Sequence, residues 1–82
     1  MKKQHPETAL SDIAHRLKVL RVKKGFNDIE EFCQFFDLPP MQYSKMETGR
    51  GTITLTGLLR VLSVHEISLE DFFCLDFRKA AA

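Results

Sequence analysis

Cysteine is scarce in this 82-residue chain, and neither Cys33 nor Cys74 belongs to a CxxC pair. That spacing excludes a thiolate zinc site and a disulfide scaffold. Cys33 lies inside an apolar helical pattern and reads as a small buried residue in a reducing compartment, so no Cys33–Cys74 disulfide is expected. Long apolar runs are missing too. Nothing approaches the ~18 residues that a membrane span requires. The opening segment, MKKQHPETAL, lacks the apolar stretch of a secretory signal, and a cytoplasmic location is expected. Glycine is sparse and forms no phosphate-cradling loop. His5, His15 and His65 are scattered, with no second ligand or nucleophile at useful spacing. No nucleophile–base pair and no carboxylate cluster stands out. Catalysis, a metal and a cofactor are therefore not expected.

Excess charge is also lacking: the net value is only +1. Its distribution is uneven. Residues 1–24 carry +5 and residues 25–48 carry −4, while the remainder balances. Attraction to DNA comes chiefly from neutralising phosphates, so strong non-specific binding is not expected. Any basic surface has to come from the first helix, the segment before it, and Lys45 and Arg50.

What the chain does have is helical periodicity. Leu10, Ile13, Leu17 and Leu20 make one helical stripe, with Thr8 or Ser11 as its cap, Lys23 and Lys24 in the last turn and Gly25 as the stop. Asp28 opens a second helix, with Glu31 three residues on and Phe32, Phe35 and Phe36 as its apolar face. Asp37 and Leu38 form a turn. Pro39-Pro40 then starts a third helix, in which Tyr43 and Met46 face inward and Gly49 ends the element. Thr54 caps a fourth, with Leu55, Leu58, Leu59 and Leu62 as its stripe. Ser68, Asp71 and an Ile67–Phe72 staple mark the start of a fifth. Helices are predicted near 10–24, 28–36, 40–48, 54–64 and 68–76, and no segment alternates like a strand. The fold class is all-α, a compact five-helix bundle. Residues 1–9 are read as a flexible basic arm, 10–77 as one domain, and 78–82 as a disordered tail or a cloning scar.

Residues 28–49, DIEEFCQFFDLPPMQYSKMETG, read as two short helices joined by a tight turn. Two helices so held let one rest across a DNA backbone while the other enters the major groove. In this segment and its surroundings the chain resembles the Xre/Cro-type, phage-repressor-like helix-turn-helix domains. The matching stretches are RLKVLRVKKG at 16–25, EEFCQFFDL at 30–38, YSKMETG at 43–49 and TLTGLLRVLSVHEISLEDFF at 54–73. The resemblance implies a lambda repressor-like bundle, dimeric binding to double-stranded DNA and a role in transcriptional control. It places Cys33 at the small-residue position of the second helix. It matches Arg21 and Glu47 to an arginine and glutamate that pair across the first and third helices. Arg50 falls where a phosphate contact is common. The base-reading positions fall on Pro40, Met41 and Lys45, with Gln42 nearby.

This chain departs from the family pattern at several points. An extra residue lies around Phe26-Asn27, Ile29 stands where a glutamine is frequent, and Asp37 replaces the usual turn glycine. Pro40 and Met41 replace polar side chains. Proline cannot hydrogen-bond a base edge, and methionine offers only apolar contact, for instance to a thymine methyl. The expected DNA-contacting set is Lys24, Pro40, Met41, Gln42, Ser44, Lys45 and Arg50, joined by Lys2 and Lys3 from the arm. Phe73, Leu75 and Phe77 are expected to form an apolar homodimer interface. A different expectation suits the acidic middle segment: a protein-interaction module, or an antitoxin-like partner, on the same fold.

Overall fold

A computed structural model describes residues 6–50 and 53–74 of the chain, with side chains from residue 9 onward. It consists of five helices: α1 (Pro6–Lys23), α2 (Ile29–Phe36), α3 (Pro40–Thr48), α4 (Leu55–Val64) and α5 (Leu69–Cys74). There is no strand among the described residues. Residues 1–5, including Lys2 and Lys3, lie outside the described residues, as do Leu75, Phe77 and the expected tail at 78–82.

The helix ends follow local chemistry. The Asp28 carboxylate accepts the Glu30 N–H at 3.2 Å, the Thr54 hydroxyl accepts the Gly57 N–H at 3.0 Å, and the Ser68 hydroxyl accepts the Asp71 N–H at 3.0 Å. Each satisfies a donor that a helix leaves unpaired in its first turn. No side chain caps α3; Pro39 precedes it and Pro40 occupies its first position, where a missing N–H costs nothing. Four left-handed residues follow helices: Gly25 (φ 101°), Asp37 (φ 56°), Gly49 (φ 72°) and Glu66 (φ 54°). After α1, the Phe26 N–H reaches back to the Arg21 carbonyl and the Gly25 N–H to Val22, the paired bonds of a Schellman ending.

One correction concerns the first element. α1 begins at Pro6, so residues 6–9 belong to the helix and not to an arm, and Thr8 is inside it rather than at its cap. Proline is preorganised for the first helical position, which lets the helix start a turn before its apolar stripe.

The core joins Leu17 of α1, Phe32 and Cys33 of α2, Leu38 of the α2–α3 turn, Tyr43 and Met46 of α3, Leu58, Val61 and Leu62 of α4, and Phe72 of α5. Each fully buried large side chain contributes roughly 1.5–3 kcal/mol. Among the helix pairs, α3 packs most extensively on α1. Gly49 ends α3 beside α1 in a left-handed conformation (φ 72°); a Cβ there would meet the Leu10 carbonyl oxygen at an ordinary 3.5 Å, so the need for glycine is conformational. From the same stretch of α1, Arg16 donates to the Phe72 carbonyl at 2.6 Å and pairs with Asp12 at 3.0 Å, tying α5 to α1.

Two expected apolar faces are rearranged. Phe35 is 73% exposed, although Phe32 is buried and Phe36 half-buried. On α4 the buried stripe is Leu58, Val61 and Leu62, while Leu55 and Leu59 face solvent. In each case the neighbouring helices cover a narrower arc than the apolar residues span.

Candidate nucleic-acid interface

The surface of α3 is decided by what the helix turns inward. Tyr43 and Met46, three residues apart, enter the core. Glu47, on the adjoining row, meets Arg21 of α1. The guanidinium donates to the two carboxylate oxygens at 2.6 and 2.9 Å, and a third contact measures 3.2 Å. Both side chains are nearly inaccessible, at 5% for Arg21 and 4% for Glu47. The remaining Arg21 donor reaches the Phe26 carbonyl at 2.8 Å. The resemblance matched these two residues as a structural pair, and here the contact is bidentate.

Glu47 is the only acid in α3. With it buried against Arg21, the solvent face of the helix carries Pro40, Met41, Gln42, Lys45 and Thr48, with Ser44 half-buried between them. Lys45 is the sole charge on that face, and Arg50 follows just beyond Gly49, also exposed. The face is therefore cationic, although residues 25–48 as a whole are acidic.

Two shallow depressions flank it. Met41, Ser44, Lys45, Thr48 and Arg50 line one. Gln42, Lys45, Met46, Ile53, Thr54 and Gly57 line the other. Lys45 sits between them. Of the expected contact residues, Met41, Gln42, Ser44, Lys45 and Arg50 are thus brought together. Pro40 is exposed at the head of the helix and lines neither depression. Lys24 also lies apart: its ammonium is 5.6 Å from the Phe36 ring centre, at the junction of α1 and α2.

Sequence reading missed Thr48, Ile53, Thr54 and Gly57 as neighbours of this face. Thr48 was findable, because it stands three and four residues after Lys45 and Ser44. Its hydroxyl donates back to the Ser44 carbonyl at 2.9 Å. The other three lie beyond α3 in the chain and carry no local signal for this face.

The remaining titratable groups are arranged for burial. Burial pushes the Tyr43 phenol far above its usual range, and the Glu47 carboxylate adds to this. Burial raises the Cys33 thiol as well, reinforced by Glu47, which keeps it protonated and unreactive. His65 stacks on Phe32, with ring centres 5.5 Å apart. Burial, helped by the Lys24 charge, lowers its pKa to about 4. Both cysteines are free. Among the described residues no group of three His, Cys, Asp or Glu side chains could hold a metal ion. No helix among them is long and apolar enough to cross a membrane.

Phe73 is 46% exposed on α5; Leu75 and Phe77, expected beside it, are outside the described residues. No protein-family model, curated protein or solved structure matches the chain.

Proposed function

We propose that the chain is a DNA-binding transcriptional regulator of the Xre/Cro helix-turn-helix type, acting in the cytoplasm as a homodimer that sets α3 into the major groove of double-stranded DNA. In this reading α2 and α3 are the two helices of the motif, within a lambda repressor-like bundle. The observation that carries it is the one-sided charge of α3: Glu47 is withdrawn into a buried pair with Arg21, leaving Gln42 and Lys45 outward and Arg50 just beyond. A duplex presents a phosphate on either side of its groove, and a helix face without exposed acid is what can approach it. Lys45 and Gln42 supply polar contacts, and Lys24, Arg50 and the N-terminal lysines supply phosphate contacts.

The test is binding to mixed genomic DNA fragments over a salt series. A dimer using three or four cations per subunit gives a slope of about −5 to −7 in log affinity against log salt. If Lys45 touches phosphate in both subunits, Lys45→Ala flattens that slope by ~2 and weakens all sequences alike. If it pairs with guanine, the variant instead loses ~1–3 kcal/mol of discrimination at one base pair.

A second reading is favoured by a different observation. Phe35 is 73% exposed on an α2 whose first turn carries Glu30 and Glu31, a surface suited to another protein rather than to phosphate. A protein-interaction or antitoxin-like role on the same fold takes precedence if wild-type protein shows no salt-sensitive binding to any DNA.

A further inference from the structure

Three phenylalanine rings meet at the surface where α2 adjoins the end of α1. Phe26, from the loop after α1, lies 5.4 Å from Phe35 and 5.6 Å from Phe36 between ring centres, and Phe35 lies 4.8 Å from Phe36. Phe26 and Phe36 are half-buried and pack on the core, whereas Phe35 is 73% exposed. A single exposed aromatic residue needs no explanation by itself. The charges around this one give it a direction.

α2 and its two caps carry the exposed acids Asp28, Glu30, Glu31 and Asp37, and no base. Glu31 stands four residues before Phe35, so its carboxylate and the ring share one row of the helix, a turn apart. No salt bridge among the described residues engages Glu30 or Glu31. The aromatic cluster already takes up one cation, since the Lys24 ammonium stands 5.6 Å from the Phe36 ring centre. Among the described residues no cation stands over Phe35.

These features select an occupant. Phosphate, whether of nucleic acid or of a lipid surface, is repelled by the acids. A purely apolar segment covers the ring but strips water from Glu31 and gives it no partner. A lysine supplies the carboxylate with a point charge. Arginine satisfies both groups at once: its planar guanidinium stacks on an aromatic face and donates to a carboxylate through two parallel bonds. It is also more weakly hydrated than an ammonium, so it loses less on leaving water.

Resting on the protein-interaction reading above, and calling on no residue of α3, we propose that the outer face of α2 docks an arginine-bearing polypeptide segment. The guanidinium stacks on Phe35 and pairs with the Glu31 carboxylate, and the apolar neighbours of that arginine cover Phe26 and Phe36.

Random peptides displayed on phage are panned against the full chain after depletion on the Phe35→Ser chain. The recovered peptides are expected to share an arginine. The synthesised consensus peptide is expected to bind wild type about tenfold more tightly than Phe35→Ser, and severalfold more tightly than Glu31→Gln. Lysine in place of the shared arginine weakens binding to wild type, because the stacked, bidentate contact is lost. Both substituted residues are exposed, so folding is expected to survive; a melting curve checks it, and Glu31→Gln serves for the depletion if Phe35→Ser unfolds. Peptides that need Phe35 but share no arginine overturn the proposal and leave the protein-interaction reading standing. Failure to recover any peptide that depends on Phe35 overturns both. Self-association of the wild type in sedimentation that is lost in Phe35→Ser assigns the face to a second copy of the chain, which also overturns the proposal.

Discussion

Removing the Glu47 carboxylate strands the guanidinium of Arg21, whose side chain is only 5% exposed, between α1 and α3. A buried pair broken on one side loses about 3–5 kcal/mol, because the remaining charge keeps its desolvation cost without its partner. Domains of this size are stable by little more than that. Glu47→Ala is therefore expected to lower the urea midpoint sharply or unfold the chain at room temperature; an unchanged midpoint would show that the pair contributes nothing. His65 offers a second residue-scale test. Its folded pKa of about 4 lies below the ordinary histidine value of 6.5, so the folded chain favours the neutral ring. The unfolded chain takes up the proton first as pH falls. The stability due to neutral His65 is thus fully present above pH ~6.5 and is lost progressively as pH drops toward about 4. The loss amounts to about 1–2 kcal/mol after allowing for the ring's partial exposure. Nε2 is buried without a partner, so a carbon there costs little. His65→Phe keeps the stack on Phe32 and is expected to remain as stable at pH 4.5 as wild type is at pH 7, to the extent that His65 sets the difference. Urea titrations of both chains at the two pH values measure it, and parallel pH profiles would refute the assignment.

The four left-handed helix endings separate cheap from costly solutions to one problem. Gly25 and Gly49 adopt the conformation freely, whereas Asp37 and Glu66 carry a Cβ into it. Aspartate is among the residues that tolerate this region; glutamate is not. Glu66→Gly, at the end of α4, is expected to stabilise the fold by about 1 kcal/mol. Gly49→Ala is expected to destabilise it by about 1–2 kcal/mol, and the cost is conformational, because the added methyl meets the Leu10 carbonyl oxygen at an ordinary 3.5 Å. Melting temperatures that move together in the same direction would contradict this account. The elements themselves were largely legible in sequence, since caps, stops and the Ser68 box act within one turn. The start of α1 was read late because Thr8 and Ser11 look like caps, while Pro6 is equally able to begin a helix. The buried arcs of α2 and α4 were legible only in part. Phe35 and Leu59 have the same local credentials as Phe32 and Leu62, and the difference lies in what packs opposite.

At the scale of the molecule, Phe73 is left uncovered on α5, as Leu55 and Leu59 are on α4. The homodimer proposed above would bury Phe73 and set the two copies of α3 about one DNA turn apart, ~34 Å. Phe73→Glu is expected to leave thermal unfolding of the monomer near wild type, because the side chain is 46% exposed, while abolishing the dimer that sedimentation of the wild type at micromolar concentration is expected to show. It should also reduce the salt slope of DNA binding to about half, as only one subunit's cations then engage each site. A wild-type chain that stays monomeric both alone and on DNA would remove the dimer from the proposal.

Sequence alone determined the all-helical class, the caps Asp28, Thr54 and Ser68, and the stops Gly25 and Gly49, because each of these depends on groups within a few residues of one another. It also put Arg21 and Glu47 forward as partners, through resemblance rather than spacing. Only the tertiary structure decided that their contact is bidentate and nearly sealed from water, that Phe35 stays outside, and that Met41, Lys45 and Arg50 share a single depression. Those outcomes depend on how α1 and α4 lie against α2 and α3. A charge or an apolar group is assigned to the core or the surface by what covers it, and the covering groups are distant in the chain.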